Sequence, residues 1–502
     1  MADPVVPLTA QSVRGTVWTL ANQFGVVARS PGELVGALTG LGVTGVVVVP
    51  QSPAAGEPAE AAELVRALRD LGHIRLVTAP GRERGSGREG AATGVVVPKS
   101  PPLPPGGATG AVTDDGLVRD APFGASDLGD PAAVCSADPS SVTAAYEHGP
   151  HGRHEGDGPE GRAGGGDGPE GRAGGGDGPH GGARGDHGPE AGRETRPDEH
   201  GGLRAAWFRA GQSLIREQPP AQRALVLLTA LGDDADPRVR PALNTLAATA
   251  PWRSDWTRVR GDVSPPWPGP VAALAQGTGR WSEHLLVADQ RGAIRSVRPA
   301  DAAPAPGTAT LPVRITALAP TPDGALLMLD ERGRLRTHGD TPLTDAVAAT
   351  LDAHPGTALA ATSRLVLVGD RHGSLHAFGH DGMHQAAAHR GRVTAVAVAD
   401  GLAAVVCSGG ADGTVRTWTP GRGPDDTPLA ERGCAVTALA AHGRTLAVAW
   451  ADGLVELRRL GTDEALPLRP GPPVRAVAVT GERSVVVGTD DTLFRVTARA
   501  LS

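Results

Sequence analysis

The chain has 502 residues, among them 71 glycines and 45 prolines, and only 3% are aromatic. That length exceeds one hydrophobic core and implies about two to four folded units. A formal net charge of −7 excludes a general nucleic-acid binder, which needs a concentrated basic surface, whereas the arginines here are spread along the chain and Lys99 is the single lysine.

The abundance of Ala, Gly, Pro and Arg beside scarce Lys and Tyr is the composition a GC-rich bacterial genome produces. Three cysteines, Cys135, Cys407 and Cys434, form no CxxC pair and no disulfide framework, which fits a reducing cytoplasm. The opening MADPVVPLTAQSVRG lacks the apolar run behind a basic patch that a signal peptide requires.

Val17 to Leu20 is the first predicted strand. Ser30, Pro31 and Glu33 then open a helix as N-cap, first helical residue and capping-box acid. Leu34, Val35, Leu38 and Leu41 form its apolar face, and Gly42 ends it. Val43 to Val49 reads as a strand buried on both faces. The apolar run from Val35 to Pro50 falls short of the about 20 residues that cross a bilayer, so no membrane partner is expected. Glu60 to Leu71 is a second amphipathic helix, with Ala61, Leu64, Val65 and Leu68 inward. Ile74 to Thr78 and Gly94 to Val97 are further strands, and Asp138-Pro139 opens a short helix through Tyr146. Alternating strands and helices over short loops predict a small α/β domain with a parallel sheet, at residues 1–147.

Residues 148–202 are low-complexity. The decapeptide GDGPEGRAGG occurs at 156–165, recurs at 166–175 and then decays. With almost no apolar side chains, this stretch cannot offset the entropy of ordering, and it is expected to be a disordered, flexible tether. Helical patterns return at 203–250. Leu203 to Glu217 carries Ala205, Phe208, Leu214 and Ile215 as a stripe; Ala221 to Leu231 carries Leu225, Leu227, Leu228 and Leu231; a third helix runs from Asp236-Pro237 to about Ala250. Trp252, Trp256, Trp267 and Trp281 follow, half of the eight tryptophans; of a peptide-binding surface and a covered core seam, the seam is the expected role.

Residues 251–502 are dominated by a repeat. Val/Ile-x-Ala-Leu/Val-Ala recurs at Val271, Ile315, Val393, Val436 and Val474, with a weaker copy at Ala358 to Ala361. Starts lie about 36 to 44 residues apart, the length of a four-stranded blade. Each copy leads through a second apolar run into an acidic turn: Asp289 to Gly292, Asp330 to Gly333, Asp370 to Gly373, Asp412-Gly413, Asp452-Gly453 and Asp490-Asp491. Asp-Gly supplies the backbone that tight hairpins need. Blades of this kind bury their faces by stacking in a ring, so the pattern predicts a β-propeller of six blades, or seven if 339–357 holds another. The sixth repeat has three strands, and Trp256 to Arg260 is placed to supply its fourth and close the ring.

One blade carries a family resemblance. His389 to Trp418 reads AHRGRVTAVAV…VVCSGGADGTVRTW and resembles a WD40 repeat. That resemblance implies that His389, Ser408, Asp412 and Trp418 form a hydrogen-bonded tetrad stapling this blade. The other five repeats lack an equivalent of Trp418, with Phe378, Leu457 and Phe494 standing nearby, so the full tetrad is expected in this blade alone.

No catalytic set, cofactor motif or metal-ligand set emerges. No GxGxxG follows the first strand and no GxxxxGK[ST] exists. Gly81 to Gly90 reads as a solvated loop. His148, His151 and His154 sit in the tether without partners to orient them as ligands. His372, His376, His380 and His384 share a spacing but fall on a turn, a strand and a hairpin. Cys407 and Cys434 read as buried thiols. The expected function is an interaction scaffold for a protein or peptide partner, with the α/β domain searching space on its tether. The alternative is a signalling or conflict-system protein whose N-terminal domain is a nucleotide-binding or enzymatic module targeted by the propeller.

Overall fold

The computed structural model describes residues 5–7, 12–41, 45–50, 58–79, 124–148, 200–259, 271–311, 313–339, 343–399 and 405–500. The strand expected at Gly94 to Val97, the run 81–90, Trp267 and the decapeptides lie outside the described residues.

At the N-terminal end, Val5–Pro7, Gly45–Pro50 and Ile74–Ala79 form a parallel sheet in chain order. Pro31–Leu41 and Pro58–Asp70 are the two amphipathic helices expected from their apolar periodicity. Their residues Leu34, Leu38, Leu64 and Leu68 are buried against Val47 and Ile74. Val17 to Leu20 is not a strand; it lies in a helix, Val13–Phe24. Ser12 caps this helix by accepting from the Gly15 amide, and Gly25 ends it in the left-handed region at φ 66°. Val13, Val17, Leu20 and Phe24 recur at helical spacing on the face toward the sheet, a period that four residues are too few to reveal.

Pro131–Ser136 and Pro139–His148 pack on the helices Leu203–Leu214, Pro220–Leu228 and Val239–Leu246 in one core. Trp207 donates its indole N–H to the Thr143 hydroxyl at 3.0 Å, and Arg223 donates to the carbonyls of Cys135 and Ala137. The Tyr146 and His200 rings lie 5.4 Å apart, so the chain leaves this unit at 148 and re-enters it at 200.

Residues 252–500 form a ring of six blades, numbered here in chain order. Blade 1 is Val271–Gln276, Leu285–Asp289, Ala293–Val297 and Pro304–Thr310; blade 3 is Gly356–Ala361, Leu365–Asp370, Ser374–Gly379 and Gly382–Ala387. Blade 4 runs from Val393 to Glu431 and blade 5 from Val436 to Leu468. Blade 2, Ile315–Pro320, Leu326–Asp330 and Leu335–His338, has three strands. A helix, Thr344–Ala353, covers its outer side with Val347 and Leu351 buried in the seam to blade 3. Residues 339–357 therefore hold no seventh blade. Blade 6 is Val474–Gly481, Ser484–Thr489 and Thr492–Ala498, completed by Trp252–Val259 antiparallel to Thr492–Ala498. The chain thus closes its ring with a strand from the N-terminal side of blade 1.

The period of two decides how the ring packs. In blade 3, Val366, Val368 and Phe378 face blade 2, while Leu367, Leu375 and Ala377 face blade 4. The same alternation gives one apolar seam between each neighbouring pair, and second strands such as Leu285–Asp289 and Ser484–Thr489 are buried at every position. Each such Leu or Val contributes about 1.5–3 kcal/mol on burial. In blades 3, 4 and 6 a glycine stands where the second strand closely approaches the next blade's first residue. A Cβ at Gly488 would lie 2.6 Å from Val271, and one at Gly409 would lie 2.5 Å from Val436. Gly488→Val is expected to lower the urea midpoint by overpacking the closing seam, a cost of about 1–3 kcal/mol, with the slope unchanged.

Candidate functional site on the turn face of the ring

Every innermost strand carries a bulge at its second residue. Pairing skips Ala272, Thr316, Thr357, Thr394, Thr437 and Arg475 in blades 1 to 6. A bulge re-aims a side chain, and these six residues stand at one mouth of a central channel of about 750 Å³ lined by the six first strands. Alanines along those strands, among them Ala273, Ala317, Ala395 and Ala438, leave the channel open. Thr357 and Thr394 donate their hydroxyls at 3.0 Å to the carbonyls of Gly369 and Gly409, tying the bulge to the second strand.

The same end of the ring carries the acidic turns. The Asp289, Asp330 and Asp370 carboxylates each accept from two turn amides. Their neighbours bond the connecting loops on both sides. The Glu331 amide donates to the Arg314 carbonyl, and the Gly356 amide donates to Gly333; the His389 amide donates to Gly373, and Ala411 to Arg392. Bonds of this kind link turns and loops from blade 1 to blade 5, forming a collar along that part of the channel mouth.

In blade 4, His389 Nδ1 lies 3.1 Å from Asp412 Oδ1, and Nε2 lies 2.9 Å from Ser408 Oγ. Ionised Asp412 only accepts, so Nδ1 carries the proton and Nε2 accepts from the Ser408 hydroxyl. Trp418 does not join them; its indole N–H donates to the Arg422 carbonyl at 2.5 Å, across the outer hairpin. Its ring is buried in the seam between blades 3 and 4. The register places Phe378, not Leu457 or Phe494, at the position equivalent to Trp418.

Burial pushes the His389 pKa down, against the pull of Asp412. Burial also opposes ionisation of Asp412, but the Arg390 amide, Thr414 and His389 overrule it and hold the carboxyl below its usual range. A histidine with a lowered folded pKa binds its proton more readily when unfolded. Its contribution to stability is therefore complete above the unfolded value of about 6.5 and is lost as pH falls from there toward the folded value. The thermal midpoint of the wild-type chain is expected to fall between neutral pH and the mid-fives, and His389→Asn should flatten that slope. An unchanged slope in the variant would remove His389 from the titration.

Other blades use other polar staples, which the sequence reading missed. Asp330 accepts from Arg336 at 3.0 and 3.1 Å, Asp370 from His376 at 3.0 Å, and Glu456 from the Trp450 indole at 3.0 Å. The signal was legible as Asp-x-x-Gly-x-x-Arg/His in DERGRLR and DRHGSLH. Of the four evenly spaced histidines, His376 is buried on Asp370, His384 bonds Asp381 at 3.2 Å, and His372 is exposed on its turn. Among the described residues no group of three metal-ligating side chains converges. Cys407 is buried with its thiol pushed up to about 12 by burial, and Cys434 is half-buried and also raised. Trp252 and Trp256 cover seams, donating to the carbonyls of Pro467 and Pro299 at 2.9 Å.

The N-terminal module sits on this collar over blades 5 and 6. Arg29 bonds Asp491, and Val27 packs at Gly453. The Ser213 hydroxyl donates to the Arg469 carbonyl at 2.7 Å, and Gly471 lies against Ala210. Gln212 is buried between the parts: its amide donates to Val26 O at 2.7 Å and accepts from the Ala28 amide at 3.1 Å. The expectation of a domain searching space on a tether is corrected by this packing. A segment whose two ends meet at Tyr146 and His200 cannot carry the module away while the helices flanking it stay packed. The strand ends where a ligand would bind an α/β sheet, at Gln51-Ser52, Pro80 and Pro98-Lys99, lie outside the described residues.

Fold and site define a class: a six-bladed β-propeller with an α/β module and a helical segment packed on it. No family model and no curated protein matches the chain. Among solved structures it is similar to the computationally designed Ika8 protein, at 22% identity and TM-score 0.32 over 45% of this chain and 70% of that one. It is also similar to the Cps50 (Swd1) β-propeller domain of Myceliophteria thermophila, at 14% identity and TM-score 0.33 over 49% of this chain and 91% of that one.

Proposed function

We propose that this chain is an interaction scaffold whose propeller holds a protein or peptide partner on its turn face. The observation that carries the reading is the hydrogen-bonded collar at an open channel mouth, covered by the chain's own module over blades 5 and 6 and uncovered by described residues over blades 1 to 4. Surfaces that act by binding are positioned by a rigid frame and presented on loops. The turn carboxylates Asp289, Asp330 and Asp370 are held by turn amides, which suits a fixed template more than a reacting centre. No described helix is long and apolar enough to cross a membrane.

Cross-linking the full chain to its captured partner, followed by mass spectrometry of the linked peptides, tests this. Links are expected in the collar of blades 1 to 4. Links confined to residues 12–79 would overturn the reading and favour an N-terminal module that acts alone.

A further inference from the structure

Resting on the platform reading, we infer that the collar of blades 1 to 4 recognises a carboxylate-rich peptide segment. Its turns and loops place Arg291, Arg314, Arg332, Arg371, Arg390 and Arg392 on the surface, all exposed. No ion pair to a carboxylate engages any of these six among the described residues. The hydrogen bonds linking turn to loop make them neighbours along one arc rather than scattered charges. The carboxylates beneath them are turned inward: Asp289, Asp330 and Asp370 are buried on turn amides, and Asp412 is held by His389 and the Arg390 amide. Glu331 is the exposed acid of the acidic turns themselves; Asp425, Asp426 and Glu431 share a surface pocket with Arg390 at the outer edge of blade 4, and Asp352 pairs with Arg334.

Blades 5 and 6 differ. There Asp452 pairs with Arg432 and Arg469, Asp490 with Arg475, and Asp491 with Arg29 of the docked module. The opposite face of the ring mixes signs, with Asp323, Asp381 and Glu482 standing among Arg364, Arg444 and Arg483. Unneutralised guanidinium is thus concentrated on one arc beside a channel whose low-dielectric walls focus its field. The planar fork of arginine matches carboxylate with two parallel bonds. The hydroxyls of Thr357 and Thr394 at the mouth already donate to backbone carbonyls, so recognition of the carboxylates falls to the guanidinium groups.

Nucleic acid fits less well. Among the described residues the arc holds no Trp, Tyr or Phe on which bases could stack, and the chain's net charge of −7 repels a long polyanion beyond the arc.

The test is fluorescence anisotropy of a labelled oligoglutamate peptide with the full chain, at low and at raised salt. The comparison variants are Arg332→Glu/Arg371→Glu/Arg392→Glu on the arc and Arg364→Glu/Arg444→Glu/Arg483→Glu on the opposite face. The peptide is expected to bind, to weaken with salt, and to weaken roughly tenfold or more in the arc variant only, which corresponds to about 1.4 kcal/mol. Absence of binding, or equal loss in both variants, overturns the inference. So does a single-stranded oligonucleotide of equal charge binding more tightly than the peptide. A captured partner that still cross-links to the collar of the arc variant would leave the platform reading standing while this inference fails.

Discussion

A chain begun at Val271 is expected to lose the cooperative unfolding of the ring. The strand Trp252–Val259 supplies the fourth strand of blade 6. Its two tryptophans close different seams: Trp252 joins the core shared by blades 5 and 6 with the helices, and Trp256 joins the core between blades 6 and 1. Truncating a buried Trp costs about 3–5 kcal/mol. Losing both, with the ladder between them, rivals the about 5–15 kcal/mol by which a domain is stable. The bare edge of Thr492–Ala498 would then pair with other chains. Size-exclusion chromatography should show aggregation, and urea titration should show a broad transition. A chain begun at His200 keeps the closing strand and its helices, and should retain a single sharp transition. Equal transitions in the two would mean the ring closes without this strand.

That closure was legible because Trp256 to Arg260 had the alternation of a strand and the sixth repeat lacked one. The ring itself was legible for a related reason: the motif Val/Ile-x-Ala-Leu/Val-Ala reports a local constraint, the crowding of six first strands, that repeats at a fixed period. Its unspecified second residue, the bulged Thr316, Thr357, Thr394 or Thr437, passed unread because a bulge is a property of pairing and not of one strand. In blade 4, His389, Ser408 and Asp412 meet across one hairpin and the loop before it, residues close enough in the chain for a local pattern to carry them. Trp418 answers to a different neighbour, the Arg422 carbonyl, whose position depends on the outer hairpin. The docking of the N-terminal module was illegible for a stronger reason. It rests on contacts between residues about two hundred or more positions apart, such as Asn22 with Gln212 and Arg29 with Asp491, which no local pattern announces.

Gly211→Leu is expected to release that module. The ring of Trp18 lies 2.0 Å from where a Cβ at Gly211 would stand, so glycine alone lets the helices Val13–Phe24 and Leu203–Leu214 meet. Trp18 is buried and its indole is rigid, so the added side chain separates the helices rather than displacing one rotamer. Separation also breaks the Gln212 bonds to Val26 and Ala28, and each buried polar group left unpaired costs about 1–3 kcal/mol more. Hydrogen exchange should show lost protection across residues 13–70, while the seams of blades 1 to 4 keep theirs. Trp18→Ala in the same chain vacates the space that the introduced leucine needs, and the pair should therefore cost less than the sum of the two single changes. Additive costs, or protection lost evenly around the ring, would show that this contact does not dock the module. If the release occurs, Asp491 loses its Arg29 partner and the turns of blades 5 and 6 become accessible, with Asp452 and Asp490 still paired to arginines of the ring. The oligoglutamate peptide should then bind the released chain no better than the wild type, because the arginines that hold it were already free.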